Sequence, residues 1–147
     1  MGIIKLNTLT NKIFIGAFAL LILCSFDVSA KKVKFLKSSV VPAARGNAKI
    51  NRDKNLNYVI SINISNLAEA YRLEPSKLTY IVWMVTEDET TMNMGKINST
   101  TGFLSKKLKA TFETVTSLKP EKIFITAEDD PSRQYPDGEL VLSTSKF

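Results

Sequence analysis

Residues 78–85, Leu-Thr-Tyr-Ile-Val-Trp-Met-Val, form the most strand-like segment of the chain, and the rest of the fold is organised around it. The segment is rich in β-branched and aromatic residues, holds the single tryptophan, and is followed by an acidic loop. Alternate side chains of a strand point to opposite faces, which gives one set of Tyr80, Val82 and Met84 and a second set of Ile81, Trp83 and Val85. Because both sets are large and apolar, the segment predicts a central strand that is covered on both faces.

Residues 56–65 carry the clearest periodic pattern. Apolar residues alternate with polar ones along the segment, and only Val59 interrupts the polar set. A period of two predicts a strand with one buried face and one wet face. The predicted buried ladder consists of Leu56, Tyr58, Ile60, Ile62 and Ile64.

Turn residues divide the rest of the chain into short apolar segments. Residues 31–37 predict either a flexible start or an edge strand, and residues 66–77 a connection between sheets with at most one helical turn. Further strands are predicted at 38–41, 48–50, 92–97, 104–112, 122–127 and 139–143, with a bulge or a close backbone approach at Gly95. The sequence therefore predicts an all-β fold: an immunoglobulin-like sandwich of two antiparallel sheets with seven to eight short strands, without the usual cysteine pair.

Residues 1–30 have the layout of a secretory signal peptide. Lys5 and Lys12 precede the apolar segment Ile13–Phe26, and Val28-Ser29-Ala30 matches a small-x-small cleavage site. The apolar segment is shorter than the roughly 20 residues that span a bilayer. We therefore expect a signal peptide at 1–30, a β-sandwich domain at 31–147, and a secreted or periplasmic location.

Cys24 is the only cysteine, and it lies inside the apolar segment. The bulky Leu23 before it argues against a lipoprotein acylation site, so we interpret Cys24 as a small apolar residue of the leader. The mature domain then has no thiol and is held by its core alone.

Composition restricts the possible chemistry. The chain has no histidine and a formal net charge of +6. A Ser-His-Asp triad, a histidine base and thiol catalysis are therefore excluded in the mature domain, and we predict that it is not an enzyme. The positive charge favours either simple solubility or attraction to anionic envelope polymers or lipid head groups. Nucleic acid is not an expected partner, because the chain has no arginine-rich or aromatic-interleaved stripe.

Two acidic segments are the candidate polar sites. Glu87, Asp88 and Glu89 follow the central strand, and Glu128, Asp129 and Asp130 follow the strand at 122–127. If the two strands are antiparallel neighbours, the segments lie at opposite ends. If the strands run the same way in facing sheets, the carboxylates can meet and hold Ca²⁺. The simplest interpretation is that both are solvated loops, with no cofactor.

Aromatic and basic residues give three further candidates. Trp83 is predicted to be core rather than a sugar-stacking platform, as are Tyr80, Tyr58, Ile60, Ile62 and Phe124. Tyr135, in a polar loop, is the better candidate for contact with a partner. Two lysine clusters either form solvated faces or bind an anionic surface; they comprise Lys31, Lys32 and Lys34, and Lys106, Lys107 and Lys109.

Five short motifs occur in a familiar order: Tyr80–Trp83, Met94–Ile97, Ile123–Glu128, Tyr135–Gly138 and Leu140–Leu142. In that order they resemble the extracytoplasmic C-terminal domain of anti-sigma-K factors. The resemblance implies a β-sandwich of the sensing type. A predicted leader replaces the sigma-binding and transmembrane parts, so it implies a free exported domain rather than a complete anti-sigma factor.

These observations together predict an exported, non-catalytic binding or sensing domain that recognises a protein or an envelope component. Recognition is expected through loops at one end of the sandwich or through an edge strand. The alternative is a calcium-stabilised carbohydrate-binding module of the cell envelope.

Overall fold

A computed structural model describes residues 30–101 and 107–147. Residues 1–29 of the predicted signal peptide, including Cys24, lie outside these residues. The strands are β1 (Lys31–Lys34), β2 (Arg45–Arg52), β3 (Tyr58–Ser65), β4 (Thr79–Thr86), β5 (Thr91–Ile97), β6 (Ser99–Thr101), β7 (Leu108–Thr116), β8 (Pro120–Glu128) and β9 (Glu139–Ser143), with one 3₁₀ helix at Ala70–Arg72. In this part of the chain no helix has the length and apolar character needed to cross a membrane.

The strands form two antiparallel sheets, which confirms the predicted sandwich. The five-stranded sheet has the order β1-β2-β3-β7-β6, and the four-stranded sheet has the order β5-β4-β8-β9. With β1 set aside, the first order corresponds to strands A-B-E-D of an immunoglobulin domain. The second corresponds to C′-C-F-G, so the immunoglobulin-like topology is also present. In this correspondence β4 is strand C, and the loop between β8 and β9 is the F–G loop.

The isoleucine ladder of β3 lies between the sheets, as predicted. Ile60, Ile62 and Ile64 are buried, whereas Ser61 and Asn63 lie on the outer face. The strand begins at Tyr58 rather than at Leu56. Asp53 accepts hydrogen bonds from the backbone N–H groups of Asn55 (2.8 Å) and Asn57 (2.9 Å), and this turn leaves Leu56 exposed with a positive φ of 64°.

Strand β4 is buried on both faces, which confirms the main prediction from its sequence. Tyr80, Val82 and Met84 belong to the core between the sheets. Ile81 and Trp83 lie on the outer face of the four-stranded sheet, and yet both are 0% exposed. Something other than the second sheet must therefore cover that outer face.

The predicted core residues are buried to different degrees. Tyr80, Trp83, Ile60 and Ile62 are fully buried. Tyr58 and Phe124 are only partly buried. The guanidinium group of Arg52 lies over the Tyr58 ring at 4.4 Å from its centre, and the Phe124 ring stacks on Trp83 with 6.2 Å between the ring centres.

Several predicted strand boundaries were wrong because turns were predicted at the wrong positions. Residues 38–41 are a turn and not a strand: the Val41 N–H bonds to Ser38 Oγ, and the Ala44 N–H bonds to the Val41 carbonyl oxygen. The turn ends early, so β2 begins at Arg45 instead of at residue 48.

The segment before and including β7 also differs from the prediction. Ser99–Thr101 lies between the strands predicted at 92–97 and 104–112, and it is itself strand β6 because its backbone pairs with β7. The strand predicted at 104–112 runs instead over Leu108–Thr116, since that stretch pairs along the whole of β3. Residues 102–106 lie outside the described part.

The connection between β3 and β4 crosses from one sheet to the other with a single helical turn, as predicted. The Tyr80 hydroxyl holds this connection against the core by donating a 2.8 Å hydrogen bond to the Ala68 carbonyl oxygen. Burial raises the pKa of the Tyr80 phenol from 10.0 to about 12.

The buried Tyr80 phenol makes stability depend on alkaline pH. The folded state holds the phenol proton more tightly than the unfolded chain, so this contribution is complete below pH 10 and is lost as the pH rises towards 12. Between pH 9 and pH 12 the wild type is expected to lose about 2 kcal/mol more stability than Tyr80→Phe. Urea unfolding of both proteins at each pH measures the difference, and parallel curves would contradict the assignment.

Candidate functional site

The two acidic segments lie at opposite ends of the four-stranded sheet. Strands β4 and β8 are antiparallel neighbours, with Thr79 opposite Glu128 at one end and Thr86 opposite Pro120 at the other. The geometry in which both segments share a Ca²⁺ ion is therefore not formed. No group of three or more potential metal-ligating side chains was found in residues 30–101 and 107–147.

The carboxylates after β4 have local partners. Glu87 forms a 2.9 Å ion pair with Lys119. The Thr86 hydroxyl donates a hydrogen bond to Asp88, which lowers the pKa of that carboxyl. Both acids are exposed, and they hold the turn between β4 and β5.

Glu128 differs from the other acids, because it is the last residue of β8 and is only 2% exposed. Its interpretation as a solvated loop residue was wrong. Glu128 Oε1 accepts three hydrogen bonds: from Thr126 Oγ1 at 2.6 Å, from the Gly138 N–H at 2.9 Å and from the Asp137 N–H at 3.2 Å. A buried acceptor with three donors is a structural anchor, since burial of an unpaired carboxylate is costly.

The anchor is continuous with the tryptophan. Trp83 Nε1 donates a 2.8 Å hydrogen bond to Thr126 Oγ1, and the Thr126 hydroxyl in turn donates a 2.6 Å hydrogen bond to Glu128 Oε1. Trp83 thus satisfies its indole N–H while its ring stacks on Phe124. The sequence contained a signal for this arrangement: Phe124, Thr126 and Glu128 alternate along one strand and therefore share the face that Trp83 occupies across the sheet.

The 129–138 loop folds back over the outer face of the four-stranded sheet. Asn93 Nδ2 donates to the carbonyl oxygens of Arg133 (2.7 Å) and Pro131 (3.2 Å). Asn93 lies opposite Trp83, beside the predicted bulge at Gly95, which has a φ of 126°. A Cβ atom at Gly138 would be 1.9 Å from the Ala127 carbonyl oxygen, so only glycine fits the close approach of the loop to β8.

Further contacts stiffen the loop from within. Asp130 accepts hydrogen bonds from the Ser132 hydroxyl (2.6 Å) and the Ser132 N–H (2.9 Å), which lower the pKa of its carboxyl. Arg133 and Asp137 form a 2.8 Å ion pair across the loop. Asp129 forms a 2.7 Å ion pair with Lys77, which ties the loop to the connection before β4.

Large side chains remain exposed on this rigid framework. Tyr135 and Leu78 are each 75% exposed, and Tyr71 is 61% exposed. Leu78 and Tyr71 line one shallow cavity of about 170 Å³, and the Leu78 N–H bonds to the Glu128 carbonyl oxygen at 3.1 Å. The Lys77–Asp129 ion pair joins the segment that carries Tyr71 and Leu78 to the loop that carries Tyr135, and the exposed residues of these two segments are called the loop surface below. Among the predicted binding residues, this surface includes Tyr135 and rests on Glu128, Asp129 and Asp130, whereas Glu87 and Asp88 lie at the far end.

Comparisons with protein-family models, curated proteins and solved structures gave no match.

Proposed function

We propose that this chain is an exported, non-catalytic binding domain that recognises a protein partner through the loop surface. The main support is that buried Glu128 holds the end of the 129–138 loop in place while Tyr135 on this loop remains exposed. A loop that is ordered before binding loses little conformational entropy on association. Tyrosine offers a large contact area with few rotatable bonds, and is enriched at binding hot spots.

The position of the loop surface supports the same function. It is formed by the segment between β3 and β4 and the segment between β8 and β9, which correspond to the B–C and F–G loops of an immunoglobulin domain. In immunoglobulin variable domains these two loops belong to the antigen-binding end. The resemblance to the anti-sigma-K extracytoplasmic domain and the predicted leader both fit an exported sensing domain.

A non-catalytic role is supported by the structural contacts that the acidic side chains already make. Glu128 is committed to three structural hydrogen bonds, and Asp129 and Glu87 are ion-paired. The carbohydrate-binding alternative has less support, because Trp83, the possible stacking platform, is completely buried.

The Tyr135→Ser substitution is expected to weaken binding of the protein partner at least tenfold without unfolding the domain. The reason is the loss of an anchor whose side chain is mostly exposed and therefore contributes little to the folded core. A photo-reactive amino acid at position 135, incorporated in the native host, identifies the partner by cross-linking. Calorimetric titration of the purified partner then measures the affinities of the wild type and of the Tyr135→Ser protein.

Leu118→Ser is the matched control, because Leu118 is also an exposed apolar residue but follows β7 at the opposite end of the sandwich. This variant should bind like the wild type. Equal losses for the two variants, or cross-linking from position 118 to the same protein, would show that the loop surface is not the binding site.

A further inference from the structure

The outer face of the five-stranded sheet is strongly cationic, and it lies away from the loop surface. One outward row, Asn51-Val59-Val115, carries no cation, and strand pairing places eleven further outward residues of β1, β2, β3 and β7 in three rows. These rows are Lys32-Lys49-Ser61-Glu113, Lys34-Asn47-Asn63-Thr111 and Arg45-Ser65-Lys109. Five cations thus share one face with a single carboxylate in these rows, and that carboxylate already accepts a 3.3 Å hydrogen bond from the Ser61 hydroxyl.

A groove of about 590 Å³ runs through this face, and its rim carries Lys32, Lys34, Arg45 and Lys109. Within the described ranges, none of the five cations has a carboxylate oxygen within 4.0 Å. Arg45 is held in place by hydrogen bonds from Nη1 to the carbonyl oxygens of Ala44 (2.6 Å) and Pro42 (2.7 Å). The floor between the cations carries the neutral polar side chains of Asn47, Asn63, Ser65 and Thr111.

The clustering of cations on this face lowers the stability of the domain when no anion is bound. Lys32 on β1 lies directly opposite Lys49 on β2, and both are exposed. Like charges in directly opposed positions of an antiparallel pair destabilise it. A bound polyanion would remove this repulsion, whereas simple solubility does not require the two lysines to face each other.

We propose that this groove, which we call the cationic groove, binds an acidic polysaccharide. The rim cations pair with carboxylate groups of the sugar chain, and the amides and hydroxyls on the floor hydrogen-bond to its hydroxyl groups. This second site is independent of the loop surface. A domain with both sites can hold an acidic polymer on one side and a protein on the other.

The composition of the groove favours a glycan over other polyanions. Surfaces that bind bilayers combine cations with apolar side chains that enter the acyl region, whereas the outward residues of the three rows are polar or charged. Single-stranded nucleic acids are bound with aromatic side chains on which bases stack. None of the eleven residues along the three rows is aromatic; the half-buried Phe35 lines the groove but also packs on the core.

Binding of polygalacturonate, a carboxylated glycan, tests the proposal. The purified chain is expected to bind it at low ionic strength and to lose at least tenfold in affinity at physiological salt, because the contacts are screened. The double substitution Lys34→Gln with Lys109→Gln should reduce the low-salt affinity at least tenfold. Arg45 is left unchanged in this variant because its hydrogen bonds hold the preceding turn.

The matched control is Lys54→Gln with Lys96→Gln, which removes the same charge from exposed positions outside the groove. The control should keep affinity within about twofold of the wild type. Equal losses in the two double variants would indicate attraction by net charge alone and overturn the proposal. Absence of polygalacturonate binding, or tighter binding to phosphatidylglycerol vesicles or to single-stranded DNA, would also overturn it.

Lys49→Thr supplies a readout that does not depend on the glycan chosen. Relief of the repulsion from Lys32 should raise the melting temperature by about 1–4 °C at low ionic strength. Saturating polygalacturonate should raise the melting temperature of the wild type more than that of this variant. A lower melting temperature for Lys49→Thr without ligand would contradict the opposed-charge argument.

Discussion

Glu128→Ala is expected to lower the free energy of unfolding by at least about 3 kcal/mol. The substitution removes a buried acceptor and leaves the Thr126 hydroxyl and the N–H groups of Asp137 and Gly138 without their partner. The buried Thr126 hydroxyl without a partner costs about 1–3 kcal/mol, and the two partly buried N–H groups add to that loss. Urea unfolding of the variant and the wild type measures the change.

The same substitution should also change the environment of Trp83. The 129–138 loop covers the face on which Trp83 lies, and Glu128 holds the end of that loop. Once the loop is released, the emission maximum of the single tryptophan should shift to longer wavelength while the sandwich remains folded in the absence of urea.

Asp129→Ala is the control for Glu128→Ala, since the two carboxylates are adjacent and only Glu128 is buried. Asp129 is exposed, and its ion pair with Lys77 is screened by solvent, so the loss should be below about 1 kcal/mol. Glu128→Gln keeps an accepting oxygen and should fall between the two. Similar effects for Glu128→Ala and Asp129→Ala would refute the anchor.

The second large effect is expected for Ile62→Ala, which should lower the free energy of unfolding by about 3 kcal/mol. Ile62 is 0% exposed and lies between Ala48 and Phe112 on the inner face of the five-stranded sheet. Truncation removes buried apolar surface and leaves a cavity that the packed sheets cannot fill. Chemical unfolding monitored by far-ultraviolet circular dichroism is the appropriate measurement.

Val59→Ala provides the comparison on the same strand. Val59 lies on the outer face, where it is only half-buried, so its truncation should cost less than about 1 kcal/mol. Comparable losses at positions 59 and 62 would mean that the strand does not present one face to the core, and the register between β3 and its neighbours would then be incorrect.

Most of the fold was predictable because alternation along a strand is a local property. The period of two in β3 identifies a strand with one buried face and one wet face, and the doubly apolar pattern of β4 identifies a strand covered on both faces, without reference to any partner. Prediction failed where the backbone hydrogen bonds of a segment go to distant strands. Residues 45–47 contain turn-forming types and nevertheless extend β2, because they pair with Asn63–Ser65.

The candidate site was less predictable because it also depends on contacts between residues that are distant in sequence. Tyr135 was identifiable as an exposed loop aromatic, but the acidic run 128–130 gave no indication that its first member is buried and the others are not. Burial of Glu128 depends on the Asp137 and Gly138 N–H groups, which reach it only when the loop folds back. The cationic groove likewise draws its lysines from strands that are far apart in sequence.

The sequence alone predicts most of the extended segments and their apolar faces, and its lack of histidine excludes a histidine base. These properties follow from residue type and from the spacing of neighbours along the chain. Only the tertiary structure decided which strands are adjacent, that the 129–138 loop covers Trp83, and that five cations share one face. Those features depend on pairing between residues distant in sequence, and an antiparallel partner is selected by the packing of the whole sandwich rather than by either strand alone.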